Sequence, residues 1–422
     1  MMDETEERIR IVKTDVVAVV PRTGTAPAHR IGTDSEAIEV AHALAAAFAV
    51  GAAERDRLRQ LPHEEIERFS ASGLWAIAVP RAFGGAELSY RTVAKMIEII
   101  SAADPSIGQI PQNHLSVAFQ IQSLGSEAQR RYFFDLILNG ARFGNALAEL
   151  TDKAAHQFET VMTPVQRDGQ AGYEINGRKF YSTGALFADF ISVGALDSAG
   201  RRYTAIVPRN APGLTVSDDW SSFGQRTTAS GTVILERVFV PESHVLPLYL
   251  VQERPVPNGA VAQIIQAAID SGIAVAAVED TKRLVREVAR PWRDSGSPRA
   301  ADDPYTIATI GRLEIALHAA QALLDRAGGF VDRSIAAPTE GSVAEASIAV
   351  AEAKVLTTEI ALEASNVLFE LAGTRVTLEP HRFDRHWRNA RVHTLHDPVR
   401  WKYNVIGDWA LNAKAPPRHG LV

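Results

Sequence analysis

The chain has 422 residues, 46% hydrophobic and 22% charged, and contains no cysteine. This length exceeds a single core and points to two or three domains, while a net charge of −6 without any long Lys/Arg run excludes a nucleic-acid surface. Lack of cysteine excludes disulfides, thiolate zinc sites, iron–sulfur clusters and a Cys nucleophile.

Residues 1–34 read as an N-terminal extension with one short Val-rich strand and no assigned chemistry. It begins M-M-D-E-T-E-E, acidic where a signal peptide would be basic, and no apolar run reaches membrane length. The expectation is a cytoplasmic chain with no membrane segment. From residue 35 the pattern becomes helical. Residues 35–59 are Ala-rich and amphipathic; Pro62 opens a second helix that ends near Gly73. Ser89 caps a third to about Ala103. Residues 106–122 are apolar with Pro111 interrupting them, and Ser126 caps a helix closed by Asn139-Gly140. Five successive helices predict an N-terminal α-helical domain over 35–142.

The period then changes. Residues 143–247 are rich in Val, Thr, Tyr and Phe, punctuated by Asp168-Gly169, Asn176-Gly177 and Pro212-Gly213, which read as turns between short strands. A central β-barrel or sandwich is predicted. Helices return over 260–290, 305–332 and 343–371, long and polar on one face, predicting a C-terminal four-helix bundle across 248–422. The fold class is α+β, in the order α, β, α, with no internal repeat.

The last stretch carries the densest chemistry. Asp397-Pro398 is a helix-start signal, with Asp397 as N-cap and Pro398 at the first position. Val399, Tyr403, Ile406 and Ala410 give the helix that follows an apolar face. His393 and His396 then stand just before a helix N-terminus, either as proton-handling groups or as ordinary interdomain hydrogen-bonders. Dinucleotide and P-loop fingerprints are absent, as is G-x-S-x-G. The twelve histidines form no triad of ligands, so no metal is expected.

Four segments resemble the acyl-CoA dehydrogenase superfamily of flavoproteins over roughly residues 35–417. Gly177-Arg178-Lys179-Phe180-Tyr181-Ser182-Thr183-Gly184-Ala185 resembles the β-domain run that lies against the flavin in that family. The segment from Asp219 through Trp220, Gly224, Arg226 and Thr228 to Ser230 resembles its W-D-x-x-G-M-R-x-T-x-S run. Gly144-Asn145-Ala146-Leu147-Ala148-Glu149 sits where relatives enter the β-domain, and the His393/His396 turn is the fourth segment. Acyl-CoA dehydrogenases often place a catalytic glutamate in that last turn, within Y-E-G-T. Here the turn reads Thr394-Leu395-His396-Asp397-Pro398, and it is similar to flavin-dependent monooxygenases of the dibenzothiophene monooxygenase type and to SfnB-type sulfur-acquisition oxidoreductases.

The resemblance implies a two-component, FMNH2-dependent monooxygenase acting on a small organosulfur compound through a flavin C4a-(hydro)peroxide. Reduced FMN would come from a separate reductase and O2 would be the co-substrate. FMN is expected over FAD because the glycine-rich dinucleotide run is replaced by Ala372-Gly373-Thr374-Arg375. Arg375, with Arg290 as a second candidate, would bind the phosphate unless each serves in a surface or subunit ion pair. His396, Thr183 and Asn145 are the expected catalytic residues. Tyr181, Ser182, Trp220 and His393 would join Asn145, Thr183 and His396 around the flavin, although Thr183 reads equally as a backbone-bonded strand hydroxyl. Gln109, Asn113 and His114 would face the substrate, making that pocket more polar than in relatives with a tyrosine near Asn113. A homotetramer is also implied. The alternatives are an FAD-dependent acyl-CoA dehydrogenase with its base moved to Glu279 or Glu314, and a non-catalytic flavin binder.

Overall fold

The computed structural model describes residues 28–150 and 158–421, so the Val-rich stretch of the extension lies outside the described residues. Seven α-helices precede the sheet among them: α1 (Asp34–Ala49), α2 (Ala52–Leu58), α3 (His63–Ala71), α4 (Tyr90–Ala103), α5 (Pro105–Gln109), α6 (Pro111–Leu124) and α7 (Glu127–Leu138). Five predicted segments become seven because Gly51, at φ 78°, breaks the first and Pro111 divides the fourth. The predicted caps hold: the Ser89 side chain accepts from Thr92 N, and Ser126 forms a capping box with Gln129.

The strands are β1 (Phe143–Ala146), β2 (Val161–Arg167), β3 (Gln170–Lys179), β4 (Phe190–Leu196), β5 (Arg202–Pro208), β6 (Leu214–Val216), β7 (Val233–Pro241) and β8 (Val245–Leu246). They pair in the order β6-β7-β3-β2-β4-β5-β8, with β1 parallel to β4. A single parallel bridge, Val161 to Leu196, joins the two ladders. Ile175 and Val238 of one ladder share a core with Val193 and Val207 of the other, so the sheet folds upon itself. Asp168 and Gly169 are both at positive φ in the β2–β3 hairpin, as the turn reading required. Asn176-Gly177 corrects that reading, because the pair lies inside β3 at a register shift. The Asn176 Oδ1 there accepts from Arg237 N at 2.8 Å, the mark of a bulge rather than a turn.

The remaining helices are α8 (Leu250–Glu253), α9 (Asn258–Glu287), α10 (Pro304–Ala336), α11 (Glu340–Ala372), α12 (Asp384–His393) and α13 (Arg400–Asn412). The largest core joins Ile97 and Ile100 of α4 to Ile264 and Ile269 of α9, Leu313 and Leu324 of α10, and Val350 and Ile360 of α11. The bundle therefore takes one of its helices from the N-terminal segment. Where α4 crosses α9, a Cβ on Gly272 would lie 2.5 Å from the Glu98 carbonyl oxygen, so only glycine fits. Ser271 Oγ donates to the buried Glu98 carboxylate at 2.5 Å on the same crossing.

Two expectations fail here. Both α9 and α10 contain a stretch apolar and long enough to cross a membrane. That of α9 is 83% buried inside the protein, as a bundle-core helix should be, whereas that of α10 is only 22% buried. The apolar face expected on α13 is only partly packed within the chain: Val399 and Ile406 are half-buried, Tyr403 and Ala410 are exposed, and Lys402 is the buried residue of the helix.

Candidate active site

The turn between α12 and α13 is built by backbone bonds, not by the predicted cap. Val399 occupies the N-cap position of α13 without a side-chain bond. Asp397 is corrected from cap to buried ion pair, its carboxylate 3.2 Å from the Lys402 ammonium. Burying Lys402 beneath the turn demands a counter-charge, and that requirement outweighs the gain from capping. His393 is likewise relocated: it is the last residue of α12, fully buried, rather than a residue ahead of a helix N-terminus.

Both imidazoles have their tautomers fixed by acceptors. His396 Nδ1 donates to the His393 carbonyl at 2.7 Å, which leaves Nε2 as a lone pair that receives the Gln109 amide at 3.0 Å. His393 Nδ1 donates to Asp270 Oδ1 at 2.5 Å, and its buried Nε2 has no hydrogen-bond partner. Asp270 Oδ2 also receives Lys354 Nζ at 2.5 Å and Thr358 Oγ1 at 2.9 Å. Burial works to raise the Asp270 pKa, but the Lys354 charge and the hydrogen bond from His393 prevail and hold it well below the usual carboxylate range. For His393 burial wins over Asp270 and lowers the pKa. His396 is exposed yet closely surrounded by protein, and desolvation with the nearby His393 presses its pKa down to about 4. At neutral pH the turn therefore offers two neutral imidazoles as proton acceptors, with rings 4.8 Å apart.

The opposite wall comes from the β-domain. A Cβ on Gly184 would meet Ile110 at 3.3 Å, which sets the loop after β3 beside the residue following Gln109. Asn145 N in β1 donates to the Thr183 carbonyl at 3.0 Å. Tyr181, at φ 53° and half-exposed, meets Trp220 edge-on at 5.8 Å. Trp220 Nε1 donates to the Gln225 carbonyl at 2.7 Å, and Gln225 N donates to Asn389 Oδ1 of α12 at 2.7 Å. The loop between β6 and β7 is thus bolted to the helix carrying His393. Thr183 is not bonded to backbone through its hydroxyl; Oγ1 lies 2.8 Å from Ser230 Oγ.

Of the residues expected at the substrate, the structure leaves only Gln109 facing the turn. Asn113 is buried and its amide donates to the Gly144 carbonyl at 3.0 Å and to Ser192 Oγ at 2.6 Å, which anchors β1. His114 is removed from the pocket: Nε2 donates to the Trp75 carbonyl at 2.9 Å, and Nδ1 accepts from Phe143 N at 3.3 Å. Arg290 and Arg375 are exposed, and neither forms an ion pair among the described residues. They stand beyond the far ends of α9 and α11, about 25 Å along those helices from Asp270 and Lys354 at 1.5 Å per residue. Neither arginine therefore stands at the His396 turn of this chain. Asp270 and Lys354 were missed by the sequence reading. The available signal was one charge of each sign in the middle of an Ala/Ile/Val-rich helix, which is costly without a partner.

The donor set fits a flavin. Gln109 Oε1, Asn145 Oδ1, Ser182 Oγ, both side-chain polar atoms of Gln225 and His393 Nε2 are buried without hydrogen-bond partners. Each such atom costs roughly 1–3 kcal/mol if neither water nor a ligand meets it, and a group bearing both donors and acceptors would satisfy them. An isoalloxazine ring has both along one edge.

Comparison with known proteins agrees with this geometry. Acyl-CoA dehydrogenase family profiles match residues 35–141 as the N-terminal domain, 146–238 as the middle domain and 264–401 as the C-terminal domain. A dibenzothiophene monooxygenase of Rhodococcus qingshengii is 34% identical, over 92% of this chain and 96% of the relative. A probable FMNH2-dependent monooxygenase, SfnC of Pseudomonas putida, is 31% identical over 90% of this chain and 96% of its own. The crystal structure of FMN-bound TdsC from Paenibacillus sp. A11-2 superposes with a TM-score of 0.87 at 29% identity, covering 92% of this chain and all (100%) of that one.

Proposed function

The chain belongs to the acyl-CoA dehydrogenase family, and from that premise we propose a two-component flavin-dependent monooxygenase that uses reduced FMN and O2 to oxygenate a small organosulfur compound. The observation carrying this reading is His396 in the turn where a dehydrogenase needs a carboxylate. Asp397, its neighbour, is tied to Lys402, so it is not a free base. Glu279 and Glu314, the alternative bases, both bind Lys282, at 2.5 and 2.8 Å, on the far side of α9 from the site. Bound FMN supplies the electrons and the oxygen-reactive ring carbon.

The protein's own residues do the rest. His396 Nε2 accepts a proton from, or a hydrogen bond of, the reacting group once Gln109 yields it. Asp270 and Lys354 keep His393 oriented, and through the His393 carbonyl they keep His396 oriented. Asn145 and Ser182 hold the ring edge, while Trp220 and Tyr181 wall off water. Residues 35–142, 143–247 and 248–422 serve as the three modules around this cleft. Delivery of reduced flavin by a nicotinamide-dependent reductase supports a cytoplasmic location.

Arg290 and Arg375 support a homotetramer, because each would complete the cofactor site of a neighbouring copy. The exposed Tyr305, Ile307 and Ile315 on α10 supply an apolar face for that contact. Light scattering should report about four chains per particle; a monomer at micromolar concentration contradicts the assembly. The functional test supplies NADH, a flavin reductase, FMN and a panel of thiophenes, sulfides and sulfinates, beside acyl-CoA with an artificial acceptor. Oxygenated sulfur product is expected, and turnover of the acyl-CoA alone overturns the reading.

A further inference from the structure

A carboxylate, an ammonium and an imidazole share one dry space behind the His396 turn. Asp270 of α9 is 0% exposed, Lys354 of α11 1% and His393 of α12 0%. Both bases bond the same carboxylate: Oδ1 receives His393 Nδ1 at 2.5 Å and Oδ2 receives Lys354 Nζ at 2.5 Å. In a buried site one negative charge compensates one positive charge, and a second cation would be left unpaired. Lysine and histidine therefore compete for a single counter-charge. Their ordinary pKa values of about 10.4 and 6.5 assign the proton to Lys354 by a factor of ~10⁴. The nearest remaining charges do not change that balance, because Asp397 of the turn is paired with Lys402 of α13 at 3.2 Å. The hydrogen bonding agrees. A cationic His393 would carry a second N–H at Nε2, and among the described residues nothing meets that buried atom.

We propose that Lys354 is a positioning residue for the reaction, holding His393 neutral so that His396, whose ring lies 4.8 Å away, can accept a proton. The proposal rests on the reading of His396 given above and deepens it. Lys354 itself is buried behind His393 and acts only through Asp270. A positive charge on His393 would oppose a proton arriving at His396 Nε2, since like charges at short range in a poorly hydrated site repel strongly. Without Lys354, the Asp270 carboxylate would have His393 as its one remaining basic partner. A carboxylate so placed favours the charged imidazole. Lys354 thus carries the positive charge that His393 would otherwise take up.

The test compares two variants of the assembled protein. Lys354→Met removes the ammonium at similar length; Asp270→Asn/Lys354→Met removes both charges and leaves an amide oxygen for His393 Nδ1. Denaturant unfolding is first followed against pH without flavin. In Lys354→Met the folded His393 pKa should rise above its unfolded value of about 6.5, giving stability that is present below that pH and lost as pH rises through the folded pKa. Relative to wild type, the unfolding constant of Lys354→Met should therefore grow by up to ~10-fold per pH unit across that window. In the double variant this pH-dependent difference should vanish. Oxygenation near pH ~7 should fall at least ~10-fold in Lys354→Met and recover as pH rises, and the double variant should regain most of the loss. Lost packing alone predicts another pattern: a double variant at least as impaired as the single, and no pH-dependent difference in either. That pattern overturns the proposal. Lys354→Gln, which keeps a donor for Asp270, serves as the single substitution if the methionine prevents folding. The unfolding measurement needs no flavin, so it is separate from the monooxygenase reading, which fails if wild type oxygenates no sulfur compound.

Discussion

Two regions of the molecule hold a histidine whose pKa is pressed down to about 4 by burial: the start of β1, through His114, and the turn between α12 and α13, through His396. At β1 both ring nitrogens are engaged by backbone, the ring is wholly buried, and Trp75 packs edge-on at 4.8 Å. At the turn one nitrogen is fixed by backbone and the other meets a single amide at an exposed position. A depressed pKa is thus common to a structural imidazole and to a candidate catalytic one. What separates them is a lone pair that a ligand can reach.

Four measurements bear on this contrast. The largest effect is expected at Asp270. Asp270→Ala strands the buried Lys354 ammonium and should cost about 3–5 kcal/mol, read by denaturant unfolding. Unchanged stability would mean that the trio does not fix the turn. His396→Ala follows, with oxygenation cut at least ~10²-fold, or about 3 kcal/mol in the barrier, and hydrogen peroxide released in place of product. Its melting temperature should stay near wild type, and a variant that oxygenates normally would erase the distinction between the two regions.

His114→Ala should do the reverse. It leaves Phe143 N–H and the Trp75 carbonyl buried without partners, costing about 1–3 kcal/mol, while turnover per folded molecule persists. The smallest effect is in pH. His114 is neutral in the fold at about pKa 4 but titrates near 6.5 when unfolded, so the unfolded chain binds more protons between those values. Stability is fully present above pH ~6.5 and declines toward pH 4, by at most about 1.4 kcal/mol per pH unit for this residue. His114→Leu should flatten that part of the melting profile, whatever its effect on stability at pH 7.

Much of the fold was legible because its signals are local. Ser89, Ser126 and Asp168-Gly169 each act within four residues of themselves, and each acts as read. The 177–185 and 219–230 runs, singled out by resemblance, lie beside the His396 turn, through Ile110 and Asn389. Errors arose where a distant partner overrode the local signal. Asn176-Gly177 looks like a hairpin turn until Arg237 on β7 draws it into a bulge. Asp397-Pro398 fails for a nearer reason: Lys402, on the next helix turn and buried, takes the carboxylate. Asn113 and His114 look like pocket residues until β1, some thirty positions later, takes their nitrogens. No periodicity in α9 or α11 says that Asp270 and Lys354 face each other, since their separation of 84 positions is bridged only in the fold.

The crossing of α4 over α9 has a consequence for how the molecule is made. Glu98 meets Ser271 across 173 positions of chain. During synthesis at ~5–20 residues per second, α4 waits roughly 10–35 s before its main packing partner leaves the ribosome. The whole β-domain emerges in that interval, with its hairpins local enough to close first, whereas the N-terminal helices hold Ile97 and Ile100 without cover. Slow, chaperone-dependent maturation and a yield that improves at lower expression temperature are the expected signature of that delay.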